Sequence, residues 1–266
     1  MGDSLRGQVA FVTGAGSGLG AAFSRRLAAD GATVVVNDLS PHAAAEVAAE
    51  IGGDTAVFDV CDSVAFDSEI DKVAERHGSL DIVINNAGIA PPPDAERAVA
   101  NQLLRMEGRV ADMQPLEGLT SISDEQWDRM IRVHLYGAFY GTRAALRHMQ
   151  IARRGVVVNV SSILGHTPSA GAAHYSAAKA AIIALTKSSA LEVAHLGVRI
   201  NAVCPGFVDT PLLAPIDPAM RAAILMRIGS GRMATATELA ELVRFLCGPE
   251  SSYCTGDVFT ASGGYA

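Results

Sequence analysis

Tyr175 and Lys179 stand four residues apart, with Ser162 thirteen positions before the tyrosine. A phenol, an ammonium and a hydroxyl form a set that can move a proton on and off a carbonyl oxygen. On a helix, residues i and i+4 share a face, so Tyr175 and Lys179 would reach one pocket. A free phenol has a pKa of about 10. A neighbouring ammonium favours the phenolate, so Lys179 is expected to bring Tyr175 towards working pH. Shifting the phenol from about 10 to about 7 corresponds to roughly 4 kcal/mol of differential interaction. A Tyr-x-x-x-Lys spacing alone fits a surface helix pair equally well, so a second, independent signal has to decide.

That signal lies near the N-terminus. The apolar run Val9 to Val12 gives way to Thr13-Gly14-Ala15-Gly16-Ser17-Gly18-Leu19-Gly20, and an amphipathic stretch follows from Ala21 to Asp30. The order is strand, turn, helix. Glycines permit a tight turn and close approach of backbone to a pyrophosphate, held at a helix N-terminus where N–H groups lack partners. A second apolar run, Ala32 to Asn37, ends at Asp38. A carboxylate at that place would hold a ribose 2′-hydroxyl and repel a 2′-phosphate, which favours NAD over NADP. No lysine or arginine between Gly14 and Gly20, or at Leu39 and Ser40, offsets it.

These segments together resemble the short-chain dehydrogenase/reductase family, along essentially the whole chain. The spacing Thr13-Gly14-x-x-x-Gly18-x-Gly20 is similar to that family's cofactor loop, so Gly14, Ser17, Gly18, Leu19 and Gly20 are expected on the dinucleotide. The resemblance places Asp38 and Leu39 at the adenosine ribose, and Asp59-Val60 at the adenine. Asn85-Asn86-Ala87-Gly88 matches the family's fourth-strand motif, which implies cofactor contacts from Asn86, Ala87 and Gly88. Pro205-Gly206-Phe207-Val208-Asp209-Thr210 matches the loop that holds the carboxamide, so Pro205, Gly206, Val208 and Thr210 are cofactor residues by the same reasoning. Ser162, Tyr175 and Lys179 match the catalytic positions, with Tyr175 and Lys179 also at the nicotinamide ribose. The family implies a homotetramer; Asp124 to Gln150 and Tyr175 to His195 are the expected interface, since both carry more apolar surface than one core face needs.

The chain departs from the family in two places. His134 stands where an asparagine is usual, a residue that helps hold a water linking the lysine to solvent; imidazole both donates and accepts, so His134 could substitute. The alternative is a helix histidine bonded to backbone. His174, beside Tyr175, is expected on another side of its helix, whereas His166 lies in the loop and could touch substrate. The segment 91–115 is longer than the family carries. Asp94 could cap a helix there with Ala95, Ala98, Val99, Leu103 and Met106 on one face, and Arg97, Arg105 and Arg109 largely off it. Such an insert either borders the substrate or packs as a surface or interface element.

Continuous Val/Ile runs predict strands covered on both faces, as in a parallel sheet. They fall at Val57–Val60, Asp81–Asn85, Gly155–Val160, Val198–Val203 and Asp257–Thr260, after the two N-terminal runs. The expected fold is therefore α/β, a single-domain Rossmann fold with a doubly wound seven-stranded parallel sheet. Length suits one such domain spanning 1–266. A hydrophobic share of 49% against 18% charged residues favours a large core and buried subunit interfaces over disorder. Net charge is −7 with no basic run, which argues against nucleic acid or an anionic membrane. No stretch approaches the roughly 18 apolar residues of a membrane span. The start of the chain lacks a signal-peptide core, and Cys61, Cys204, Cys247 and Cys254 show neither disulfide nor zinc spacing, which predicts a cytoplasmic protein with no metal.

The expected activity is NAD-dependent interconversion of a secondary alcohol and a ketone. Tyr175 would remove the hydroxyl proton as hydride passes to the nicotinamide, with Ser162 bonding the substrate oxygen. The apolar segment after Thr210, from Pro211 to Pro218 and on to Ile228, is implied by the resemblance to cover the substrate. An apolar cover suggests a steroid, a terpenoid, a hydroxyacyl thioester or an aryl alcohol; packing on its own core would explain the same composition. Two rival readings are a non-catalytic dinucleotide-binding sensor or scaffold, which retention of Tyr175 and Lys179 disfavours, and an epimerase or dehydratase, which the glycine spacing disfavours.

Overall fold

The computed structural model describes residues 4–90, 95–213 and 218–265. Seven parallel strands form one sheet in the order β3-β2-β1-β4-β5-β6-β7. They are β1 (Val9–Val12), β2 (Thr33–Asp38), β3 (Asp54–Val57), β4 (Ile82–Asn85), β5 (Gly155–Val160), β6 (Val198–Pro205) and β7 (Val258–Ala261). The helices are α1 (Gly18–Ala29), α2 (Pro41–Ile51), α3 (Ser63–His77), α4 (Ala95–Met106), α5 (Asp124–Ile131), α6 (Gly137–Ala152), α7 (Ala173–Val193), α8 (Pro218–Met226) and α9 (Ala236–Cys247).

Alternation along each strand divides the core. Ala10, Val12, Val34, Val36, Ile82 and Ile84 face one layer, where Phe23 and Leu27 of α1, Val47 of α2 and Val243 of α9 pack. Val9, Phe11, Val35, Val83 and Val157 face the other, against Phe66 and Ile70 of α3, Met149 of α6 and Val193 of α7. Burial on both faces is the reason these strands read as unbroken apolar runs. A third cluster stands apart from the sheet: Met220 and Ile224 of α8 pack with Ile228, Met233, Phe207 and Tyr265.

A polar spine crosses the sheet centre. Asn85 and Asn159 are register partners on β4 and β5. The Asn85 amide donates to Asn159 Oδ1 at 2.8 Å and to Thr142 Oγ1 at 3.2 Å. Asn159 donates to Thr186 Oγ1 at 2.9 Å, and Thr186 donates in turn to the Ile182 carbonyl. These bonds tie α6 and α7 to adjacent strands, which fixes the heights of both helices, although the buried Asn85 Oδ1 itself has no partner. Gly141 on α6 permits that approach, because a Cβ there would lie 2.0 Å from Asn85 Oδ1.

Several element boundaries differ from the sequence expectations. β3 covers Asp54–Val57 rather than Val57–Val60. Its partner β2 ends at Asp38 opposite Val57, so no neighbouring backbone remains for residues 58–60, which turn towards the strand ends instead. The stretch from Asp124 to Gln150 is not one regular helix: a π turn over Arg132–Tyr136 separates α5 from α6. The inserted helix ends at Met106, so Arg109 lies beyond it. Its expected cap, Asp94, lies outside the described residues, as do the side chains at 95–99.

Candidate active site

The strand order reverses direction between β1 and β4, and the carboxyl ends on either side of that seam form the crevice where α/β sheets bind ligands. The seam is closed by direct bonds. Thr13 Oγ1 accepts from the backbone N–H of Asn86 at 2.9 Å and of Ala87 at 3.1 Å. The Asn86 amide donates back to the carbonyls of Thr13 and Gly14. A Cβ on Gly14 would lie 2.8 Å from Ala87 Cα, and one on Gly20 would lie 2.2 Å from the Gly14 carbonyl oxygen. Gly14 and Gly18 also adopt positive φ, +60° and +51°. Glycine is therefore required here by both space and backbone conformation.

The glycine loop ends on α1 with Ser17 at the N-cap in extended conformation, making no side-chain cap bond, and no acidic residue lies in the first turn. Its first N–H groups and positive dipole end are thus available to an anion. Asp38 closes the other side. Its Oδ2 accepts from Gly16 N at 3.0 Å, and its Oδ1 accepts from Ser40 N at 2.9 Å. Leu39 is exposed beside it. Asp59 lies exposed at the end of the third crossing, its carboxylate accepting from Cys61 N, while Val60 is buried against Gly137. The Pro205–Thr210 loop comes back over the glycine loop, with Thr210 Cβ 3.8 Å from a Cβ built on Gly18. Gly206 lies against Ser262 beyond β7, and Val208 is buried in a bridge to Ala234. The residues fit a dinucleotide: a positive helix end, a glycine-walled cradle and a carboxylate opposite it.

Ser162, Tyr175 and Lys179 converge between the ends of β5 and β6. Ser162 follows β5 and is buried; its Oγ accepts from Leu164 N at 3.1 Å, and its hydroxyl is the neighbour that draws the Tyr175 phenol downward. Tyr175 and Lys179 share a face of α7, with the Lys179 ammonium 5.6 Å from the tyrosine ring centre. Lys179 Nζ is buried and donates to the Val160 carbonyl at 2.9 Å. Burial pushes the Tyr175 phenol above its ordinary value, and the bond from Ser162 opposes this. Burial also pushes the Lys179 ammonium down to about 7. Without a cofactor, desolvation is the largest influence on each group, raising the Tyr175 phenol and lowering the Lys179 ammonium.

His134 sits on the π turn, buried, with its ring edge-on to Tyr175 at 5.2 Å between centres. Its Nε2 lies 3.1 Å from Ile89 N and 3.0 Å from Ile89 O, so it is bound to backbone after β4. Gly88 makes room for it, since a Cβ there would lie 2.6 Å from His134 Cε1. Burial and the nearby Lys179 charge hold the imidazole well below its usual range, hence neutral at pH 7. Of the two sequence alternatives for His134, the structure shows the backbone-bonded ring, which also stands edge-on to Tyr175. His166 is exposed in the loop after Ser162, and His174 is buried on α7. What the sequence missed is Gly171, four residues before Tyr175, which adopts φ +82° and packs against Gly118.

A family model described as enoyl-(acyl carrier protein) reductase matches residues 14–266. The chain belongs to the short-chain dehydrogenase/reductase family. Among its relatives is the cis-4-hydroxycyclohexanecarboxylate dehydrogenase of Sinomonas cyclohexanicum, 38% identical over 270 residues and covering 100% of this chain and 99% of that protein. The 3-oxoacyl-[acyl-carrier-protein] reductase FabG of Thermotoga maritima is 36% identical, covering 98% of each chain. A crystal structure described as ribose-5-phosphate isomerase from Brucella melitensis superposes with a TM-score of 0.84 at 31% identity, covering 100% of this chain and 94% of that one. Fold likeness across such different names leaves the chemistry to the site. Among the described residues no helix is long and apolar enough to cross a membrane, and no group of three or more His, Cys, Asp or Glu could hold a metal.

The buried Lys179 of this family member generates a pH-linked prediction. Its folded pKa, about 7 against an ordinary 10.5, means the unfolded chain binds more protons between those values. Stability therefore rises with pH across that window, and the cost of the buried ammonium is fully present below about 7. In the cofactor-free protein, Lys179→Met should raise the melting temperature at pH 7 and flatten its rise from pH 7 to pH 9. Thermal melts across that range check this; a variant that melts lower at pH 7 with the wild-type slope contradicts it.

Proposed function

We propose that the chain is one dinucleotide-binding and catalytic domain that interconverts a secondary alcohol and a ketone with NAD. The observation that carries this reading is the convergence of Ser162, Tyr175 and Lys179 beside the glycine cradle. Bound NAD supplies the hydride acceptor, or as NADH the donor. In oxidation, Tyr175 takes the hydroxyl proton, and Ser162 donates a hydrogen bond to the substrate oxygen as charge develops there. Lys179 would hold the nicotinamide ribose of a bound cofactor and, with that positive ring near, favour the phenolate against the upward push that burial alone produces. His134, neutral and in contact with Tyr175, takes the position of the family's relay asparagine. Tyr175→Phe should reduce kcat by at least about a hundredfold while leaving the Kd for NADH, read by fluorescence, nearly unchanged. Substantial residual turnover would remove this mechanism.

The choice of NAD rests on Asp38. Its carboxylate is held by Gly16 N, and a Cβ on Gly16 would lie 2.8 Å from Asp38 Oδ2, so the pocket is both narrow and negative where a 2′-phosphate would sit. Asp38→Ser should weaken NAD and relax discrimination against NADP by about tenfold or more. A wild-type kcat/KM that already favours NADP contradicts the assignment.

The substrate is apolar, in keeping with the α8 cluster of Met220, Ile224, Phe207 and Tyr265. The Sinomonas relative, named for a ring alcohol, supports the oxidative direction on a cyclic secondary alcohol. The FabG relatives, named for 3-oxoacyl reduction, favour a second reading in which a 3-oxoacyl thioester is the substrate. Steady-state rates on cyclic alcohols and on 3-oxoacyl thioesters separate the two. No basic run supports a nucleic-acid partner, and the reading places the enzyme in the cytoplasm as a homotetramer. Exposed Trp127, Tyr136, Phe139 and Leu191 on α5, the π turn, α6 and α7 support that assembly. Light scattering should give a mass near four times 27.6 kDa; a mass near 27.6 kDa contradicts it.

A further inference from the structure

The inserted segment is held together by its own chain. The helix α4 ends in a Schellman turn: Arg109 N donates to Leu104 O at 2.8 Å, Gly108 N donates to Arg105 O at 3.1 Å, and Gly108 adopts φ +72°. A single 3-10 turn follows, braced by Arg109 Nε donating to Asp112 Oδ2 at 2.8 Å. The chain then runs back beside α4, where Asn101 receives it. The buried Asn101 amide donates to Gln114 O at 2.6 Å, and its oxygen accepts from Gln114 N at 3.0 Å. One side chain thus satisfies both backbone groups of Gln114, as a neighbouring strand would. Among the described residues of the insert, Asn101 is the one buried polar side chain.

The segment is also fixed from outside. It follows β4, whose exit at Gly88 and Ile89 encloses His134. α4 contacts α8, the helix of the apolar cluster. α8 is itself tied to the Pro205–Thr210 loop by Arg221 and Asp209 at 3.4 Å. The returning end stops at Gly118, where a Cβ would lie 2.8 Å from Gly171 Cα, so the two backbones touch. Gly171 belongs to the loop that carries the chain from Ser162 to Tyr175. The segment therefore links the exit of β4, which reaches Tyr175 through His134, to α8 and to the loop that runs into Tyr175.

We propose that residues 95–118 form a fixed wall of the substrate space and that Asn101, through its pair of hydrogen bonds to Gln114, is a positioning residue for substrate selection. This rests on the reading of Ser162 and Tyr175 as the reaction centre. Asn101 touches neither substrate nor cofactor; it acts by clamping the returning segment to α4, the helix that contacts α8. A wall misplaced by a fraction of a side chain changes which alcohols present their carbinol carbon correctly, while the cofactor cradle stays as it was.

The test compares wild type with Asn101→Leu, which keeps the volume and removes both hydrogen bonds, and with Gly118→Ala, which pushes the far end of the segment off Gly171. Three quantities are measured: the kcat/KM ratio between a bulky and a small cyclic alcohol, the Kd for NADH, and amide hydrogen exchange of residues 218–226 with NADH bound. Both variants should shift the ratio by about tenfold or more, leave the NADH Kd unchanged, and speed exchange in α8. An unchanged ratio in folded variants overturns the role in selection, even if the melting temperature falls. If Asn101→Leu does not fold, Gly118→Ala alone decides by the same criteria. A wild-type protein that oxidises no alcohol would remove the reaction-centre reading; α8 exchange then decides the wall, with faster exchange in the variants supporting it and unchanged exchange overturning it.

Discussion

The seam between β1 and β4 is the constraint on which the rest of the site depends. One threonine hydroxyl accepts two N–H groups from the turn after β4, and the Asn86 amide returns two bonds to the carbonyls after β1. Four hydrogen bonds across one contact leave the two strand ends no freedom to slide. Everything that would touch a dinucleotide is built outward from it: the glycine turn and α1 on one side, Gly88 and the insert on the other. The absence of side chains at Gly14 and Gly20 is what lets the two halves approach.

The second half of the site is positioned from below rather than from the seam. The Asn85–Asn159–Thr186 spine fixes α7 relative to the sheet, and α7 carries Tyr175 and Lys179 at its first turns. The same spine reaches α6 through Thr142, just after the π turn that holds His134. A π turn widens the helix locally and swings a side chain out of its regular register, which is how His134 meets Tyr175 rather than packing in the helix row. The proton-handling groups are thus held by a polar network buried where side-chain hydrogen bonds are strongest.

Burial works against charge at both Tyr175 and Lys179. A buried ammonium and a half-buried phenol each have their charged form disfavoured, Lys179 to about 7 and Tyr175 above its usual range. Such a pair is poorly suited to a stable core, and well suited to a place where a bound cofactor and substrate supply the missing partners. His134 follows the same logic, neutral because it is buried beside Lys179.

The sequence by itself determined the fold class and marked the candidate reacting set. Unbroken Val/Ile runs mark two-sided burial whatever the details of packing, the i, i+4 spacing puts Tyr175 and Lys179 on one face of any helix, and glycines before a helix make an anion cradle by their lack of side chains. Strand limits were less legible where pairing decides them: Val57–Val60 has strand composition, yet β2 stops opposite Val57 and leaves the remainder without a partner. Only the tertiary structure decided that His134 bonds to Ile89 beneath Gly88, that Lys179 is desolvated enough to lose its ordinary basicity, and that an insert with its own cap and clamp comes to rest between α8 and Gly171. Each of these is a meeting of segments far apart in the chain, and local propensity and spacing carry no information about such contacts.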